Sequence, residues 1–123
     1  MAIKYFFDTY AFYEFIDGNN GYKTYFEKFE IVTTRLNLVE LLYSLIKDFG
    51  FEFAKKCYYA FLPYVIEFSD ETVEKAMLFR FLNRKKNLSY VDCIGYTCAL
   101  ENGLKFLTGD NEFKEMKGVE FVR

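Results

Sequence analysis

A chain of 123 residues closes one core, so a single domain over 1–123 is expected and a multi-domain enzyme is excluded. Hydrophobic residues make up 52%, with 16 Phe and 11 Tyr against one Pro, a balance that buries well and argues against disorder. Histidine is absent and the formal charge is −2, which removes Ser/His and Cys/His catalysis and His-bearing zinc sites, and does not mark the whole chain as a nucleic-acid binder.

The opening run Ile3 to Phe7 is apolar and aromatic, which suits a buried strand. A short helix fits 9–17, the Asp17-Gly18-Asn19-Asn20-Gly21 cluster stops it, and a second short helix fits 21–28. The β-branched residues 30–34 predict a second strand. Over 35–49, Leu38, Leu41, Leu42, Leu45, Ile46 and Phe49 keep the spacing of one buried helical face, and Gly50 stands where a helix end wants it. A further helix fits 51–61, halted by Pro63. Residues 64–68 are predicted as a third strand, with Ser69 or Asp70 capping a helix over 70–83. The polar loop of residues 83–87 follows, then Ser89 caps a helix over 90–102, residues 104–108 make a fourth strand, and 118–122 hold a fifth.

No apolar run reaches the about 20 residues that cross a bilayer, and the amino-terminal residues lack the pattern of a secretion signal, so a cytoplasmic protein without membrane attachment is expected. Cys57, Cys93 and Cys98 are odd in number and outside any C-x-x-C pattern, which predicts free thiols.

Strands alternating with helices predict an α/β fold with a mostly parallel sheet, whose ligands gather where helix N-termini meet strand C-termini. Four acids fall on that edge: Asp8 after the first strand, Glu40 early in the helix after the second, Asp92 in the first turn after Ser89, and Asp110 one glycine past the fourth strand. Each has an ordinary role as well. Asp8 and Asp110 suit helix caps, Asp92 completes a capping box with Ser89, and Glu40 lies off the Leu38/Leu42/Leu45 stripe where a solvated carboxylate belongs. Glu67, Asp70 and Glu71 compete for the same edge, whereas Glu14 and Asp17, at the far end of the first helix, fall away from it. Four carboxylates drawn together call for a cation, and a site of oxygen ligands without His favours Mg²⁺ or Mn²⁺ and phosphoryl chemistry.

The segments FFDTYAF, NLVELLYSL, LSYVDCIGYTCALENG and LKFLTGDNEF, in that order, closely resemble the PIN-domain nucleases, the family that includes VapC-type toxins. The resemblance spans nearly the whole chain. It implies a three-layer α/β/α sandwich with a five-stranded sheet of order 3-2-1-4-5. It also implies an Mg²⁺- or Mn²⁺-dependent endoribonuclease, a phosphodiester hydrolase, with Asp8, Glu40, Asp92 and Asp110 as catalytic and metal-binding acids. Thr9 and Thr108 are expected to orient those carboxylates, and Glu112 to assist Asp110 or to begin the last helix. RNA is the implied substrate, with a small antitoxin protein and a second copy of the chain as partners. Family members often carry Ser, Thr or Asn where this chain has Tyr10.

Setting the four acids aside leaves 14 acidic against 16 basic residues, from the 18 and 16 of the whole chain, so a phosphate backbone is not excluded. Arg80, Arg84, Lys85 and Lys86 form the sharpest basic cluster, either a solvated loop or a strip that steers RNA. Two other classes fit the same residues. One is a catalytically inactive PIN-like module binding RNA or protein, which Tyr10 favours; the other is a response-regulator-like domain, which the solitary Asp8 disfavours.

Overall fold

The computed structural model describes residues 4–123. In chain order these are β1 (Lys4–Phe7), α1 (Thr9–Ile16), α2 (Asn20–Lys28), β2 (Glu30–Val32), α3 (Arg35–Phe49), α4 (Phe51–Phe61), α5 (Asp70–Leu82), α6 (Tyr90–Glu101), β3 (Lys105–Thr108) and β4 (Val119–Phe121). Short 3₁₀ turns cover Leu62–Tyr64 and Asn111–Phe113. Ile3, where the first predicted strand begins, lies outside the described residues.

The strands form one parallel sheet of order β2-β1-β3-β4. Alternation of side chains along the strands divides the core in two. Tyr5, Phe7, Ile31 and Leu107 face α1 to α4, where they meet Phe12, Tyr22, Leu38, Leu41 and Leu45. Phe6 and Phe106 face the other way, against Ala76, Cys93, Tyr96 and Ala99 of α5 and α6. The result is the three-layer α/β/α sandwich. The Phe6 and Phe106 rings stack at 5.5 Å across neighbouring strands. Helix α6 comes so close that a Cβ on Gly95 would lie 3.1 Å from the Phe6 ring.

The sheet has four strands rather than five. Residues 64–68 do not form the predicted third strand, because the 3₁₀ turn Leu62–Tyr64 occupies the positions before Val65 and the neighbouring segment turns into the Thr34 cap of α3 directly after Thr33. What survives is a single parallel bridge from Val65 to Thr33, at the β2 edge where the strand was expected. Its bonds run from Thr33 N to Tyr64 O at 3.0 Å and from Ile66 N to Thr33 O at 2.8 Å. Val65 and Ile66 supply the propensity, but with the turn before Val65 and α3 starting after Thr34 the edge offers a partner for only one residue.

Hydroxyls of Thr34, Ser69 and Ser89 cap α3, α5 and α6. All three cysteines are free thiols, with Cys93 and Cys98 buried and Cys57 partly so. Among the described residues no helix is long and apolar enough to cross a membrane.

Because the Phe106 ring is fully buried between Phe6, Tyr96 and Phe113, Phe106→Ala is expected to cost about 3–5 kcal/mol. Leu78→Ala, on the exposed side of α5, is expected to stay within about 0.5 kcal/mol of the wild type. Urea denaturation checks both, as a midpoint shift at unchanged slope.

Candidate active site

β1 lies in the middle of the sheet, so the residue that follows it sits between β2 and β3 at their carboxyl edge. That residue is Asp8, only 3% exposed. Its Oδ1 accepts the Ala11 backbone N–H at 2.8 Å and caps α1, the ordinary role its position suggested. The same burial, reinforced by the charges of Asp92 and Asp110, raises its pKa to about 8. Hydrogen bonds from Thr108 and Ala11 oppose the rise without cancelling it.

The next residue tethers a second acid. The Thr9 hydroxyl donates to Glu40 Oε1 at 2.8 Å, reaching from the start of α1 to the second turn of α3. Asn37 supports it from one turn earlier: its Nδ2 donates to Thr9 Oγ1 at 3.3 Å while its Oδ1 accepts the Thr34 hydroxyl at 2.7 Å. Glu40 therefore stands half-buried at the mouth of a groove of about 500 Å³, lined by Thr9, Val39, Glu40, Tyr43 and Ser44.

Asp92 forms the capping box with Ser89. Its Oδ2 accepts Ser89 N–H at 2.9 Å, and its own N–H donates to Ser89 Oγ at 2.9 Å. Burial, with the charges of Glu40 and Asp110, raises its pKa to about 6 against the pull of the Ser89 amide. Asp110 caps the last 3₁₀ turn: its Oδ1 accepts Glu112 N–H at 3.0 Å, and its N–H donates to Thr108 Oγ1 at 3.1 Å.

The turn before Asp110 is shaped by Tyr10. A Cβ on Gly109 would lie 2.3 Å from the Tyr10 ring and 2.4 Å from the Val122 carbonyl, so glycine is required there by space rather than by backbone angle. The Tyr10 ring meets Tyr22 at 6.1 Å, and the Tyr22 hydroxyl donates to the Val122 carbonyl. Tyr10 is thus a wedge between α1 and the Asp110 turn.

The fold brings the four acids into one electrostatic group, in which Asp8 senses Asp92 and Asp110, and Asp92 senses Glu40 and Asp110. The rivals are elsewhere. Glu67, Asp70 and Glu71 are exposed, with Glu71 paired to Lys75 at 3.2 Å, and Glu14 accepts from Asn19 Nδ2 at 3.0 Å at the far end of α1. Glu112 turns its carboxylate away from Asp110, accepting Asn87 N–H at 2.7 Å. Asn37 escaped the sequence reading. Its spacing of four to Leu41 and of eight to Leu45 signals burial of a polar side chain that needs partners.

Among the described residues, no lysine or arginine forms an ion pair with any of the four acids. Nor are any three His, Cys, Asp or Glu side chains gathered tightly enough to hold an ion as they stand. The donor set still fits a hard divalent cation. Its atoms are carboxylate oxygens that no lysine or arginine neutralises, and an ion that keeps several waters needs direct contact with only one or two of them.

An α/β domain with an acidic group at the carboxyl edge of its central strands is the class that this fold and site define. The chain belongs to the PIN-domain family, whose family model matches residues 5–119. Comparison with curated protein sequences gives no match, while solved structures share the fold. Mycobacterium tuberculosis VapC20, a sarcin-ricin loop cleaving toxin, is similar with a TM-score of 0.81 at 19% identity, over 96% of this chain and 98% of that one. Rickettsia felis VapBC2, bound to a fragment of its promoter DNA, gives a TM-score of 0.73 at 19% identity, over 98% of each chain. A toxin–antitoxin complex from Klebsiella pneumoniae gives 0.72 at 18% identity, over 94% of this chain and 95% of that one.

The raised pKa of Asp8 fixes a direction for stability. The folded state holds this proton up to about pH 8, whereas an unfolded aspartate releases it near its ordinary value of 3.8, so stability present at acid pH is lost as pH rises through that window. Asp92 adds to the loss up to about pH 6. In EDTA the melting temperature should fall between pH 5 and pH 8.5, and Mg²⁺ or Mn²⁺ should raise it more at the upper end. Asp8→Asn, which keeps the shape without the charge, should flatten the profile and melt higher than wild type above pH 8. Thermal unfolding across pH checks this, and a flat wild-type profile refutes it.

Proposed function

We propose that the chain is a cytoplasmic, Mg²⁺- or Mn²⁺-dependent endoribonuclease and the toxin of a toxin–antitoxin pair. The observation that carries the proposal is the electrostatic group of Asp8, Glu40, Asp92 and Asp110 at the carboxyl edge of a PIN fold. Four acids that each cap or brace local structure have no structural need to be mutually coupled. Their coupling costs stability, and a cation on a phosphodiester substrate would offset it.

On this reading Asp8, Glu40, Asp92 and Asp110 would hold the metal together, one or two of them directly and the others through its waters. A bound Mg²⁺ or Mn²⁺ supplies a water of lowered pKa and neutralises charge developing on the phosphate oxygens. The protein's part is orientation. The Ala11, Ser89 and Glu112 amides fix one oxygen each of Asp8, Asp92 and Asp110, and Thr9 fixes Glu40 Oε1. Glu40 Oε2 and Asp110 Oδ2 have no protein donor among the described residues, which leaves them to a water or a metal ligand. Thr9 and Thr108 act as positioning residues, and Glu112 acts on Asp110 through its amide rather than its carboxylate.

The antitoxin reading draws on the face beside the site. Val39, Tyr43, Ile46, Phe49 and Phe53 of α3 and α4 are exposed, and the first two line the groove at Glu40. A small partner protein that covered this apolar face would also close the groove. A second copy of the chain is the other proposed partner.

Cleavage of a mixed RNA pool tests the reading. Cutting should require Mg²⁺ or Mn²⁺ and stop in EDTA. Asp8→Asn and Asp92→Asn, confirmed as folded, should lose at least about 100-fold, the scale of removing a group aimed at transition-state charge. Thr9→Val should lose about 10- to 100-fold by releasing Glu40. Metal-independent cutting, or full activity in both aspartate variants, would overturn the site assignment; a folded wild type that binds RNA without cutting it would support the inactive binding module instead.

A further inference from the structure

We propose that the exposed end of α5 and the loop after it form a platform for single-stranded RNA, with Phe81 and Tyr90 stacking on bases and Arg84, Lys85 and Lys86 meeting phosphates. The proposal rests on the ribonuclease reading and adds which surface carries the strand.

Phe81, Leu82 and Tyr90 are 60%, 68% and 67% exposed. Exposed aromatics are unremarkable singly, but here they are interleaved with cations. The Arg84 guanidinium lies 4.6 Å above the Phe81 ring, and its Nη1 donates to the Phe81 carbonyl at 3.0 Å. That stacking pre-orders a planar, weakly hydrated cation beside an aromatic face, the arrangement that meets bases and phosphates together. A groove of about 410 Å³, lined by Leu82, Asn83, Arg84, Lys85 and Lys86, runs past it.

These charges are free. Lys4, Lys23, Lys55 and Lys75 pair with carboxylates, while among the described residues Arg84, Lys85 and Lys86 have no ion-pair partner. On the preceding turn Arg80 adds a fourth cation whose buried Nε has no hydrogen-bond partner among the described residues. Unpaired cations in a row bind a polyanion with counterion release. A second copy of the chain fits less well, because a two-fold contact centred on this patch would set its cations against themselves.

The platform is also fixed to the carboxylates. Glu112 accepts Asn87 N–H at 2.7 Å, its carbonyl accepts Lys86 Nζ at 3.3 Å, and its own N–H donates to Asp110 Oδ1 at 3.0 Å. At the other end of the loop Leu88 is buried, and Tyr90 opens α6 two residues before Asp92. Glu112, which the sequence suggested as a helper of Asp110, thus joins the basic loop to the acidic site, so a strand gripped at Arg84 to Lys86 is delivered to a fixed place.

Fluorescence anisotropy of a short, labelled, mixed-sequence single-stranded RNA, in EDTA so that nothing is cut, tests the platform separately from catalysis. Phe81→Ala and Tyr90→Ala should each weaken binding by about 5- to 150-fold, the range for losing one stacked base. Lys85→Ala with Lys86→Ala should flatten the slope of log K against log salt by about 1.4, or 0.7 for each single-strand phosphate contact. Thermal unfolding should leave all of these surface variants folded. If the wild type cuts RNA in Mg²⁺ and all of these variants bind as it does, the platform is overturned and the nuclease reading stands. Loss of self-association in sedimentation velocity with unchanged RNA binding also overturns it, and assigns the patch to a second copy. A wild type that neither binds nor cuts RNA overturns both.

Discussion

Burial of the Asp8 carboxylate at the end of the central strand is the constraint that the surrounding structure answers. β1 has strands on both sides, so its last residue cannot reach water along the sheet, and the helices close over the remaining directions. The amide of Ala11 and the hydroxyl of Thr108 favour its charged form and are outweighed by burial. Neighbouring carboxylates then push the same way as the burial. A fold selected only for stability would place an apolar residue or an amide at position 8. Retaining an aspartate there fits a site whose missing charge comes from outside the chain.

The other acids share a design in which the proposed ligand is also a cap. Asp92 and Asp110 are each tied to a backbone amide within three residues, so their carboxylates are positioned by the helix or turn they start. Such positioning is rigid, because breaking it would expose helix donors as well as move the acid. Glu40 is the exception. It caps nothing and depends on Thr9, which in turn is supported by Asn37 and follows Asp8 directly. The Thr9 hydroxyl therefore ties the start of α1 to α3 at the one acid that local structure leaves unfixed.

This double use explains what the sequence discloses. Strand ends, helix faces and caps depend on local spacing, so nearly every element and the edge carrying the acids could be read directly. The third strand failed because its residues have β propensity but lack a partner: the segment beside them turns into α3 after Thr33, and the 3₁₀ turn occupies the positions before Val65. Helical spacing marks Asn37 as buried, but its bond to Thr9 and the Thr9 to Glu40 bond were not legible, since they join residues 28 and 31 positions apart and no periodicity encodes such a pair. Glu40 was the hardest of the four to read: off the apolar stripe, a carboxylate held at a site and one facing solvent have the same helical angle. Glu112 showed the reverse. Its closeness in sequence to Asp110 suggested shared work, but the fold spends its carboxylate on Asn87, 25 residues away.

Tyr10 turns a departure from the family's usual residue into part of the site's electrostatics. A small polar side chain there would offer the acids another hydrogen bond and let water approach. The tyrosine instead packs on Gly109 and against Tyr22, with Val122 closing the far side through its carbonyl. Tyr22 senses the charge of Asp8, and the Tyr10 ring packs against Tyr22. An aromatic wall has few donors to give and excludes water, so it lowers the local dielectric and makes an unneutralised Asp8 more costly than a polar neighbour would. The same wall strengthens any attraction to a cation that enters. The wedge thus adds dryness: with no cation bound the site favours the proton on Asp8, and a cation that takes its place gains more than it would in a wetter site.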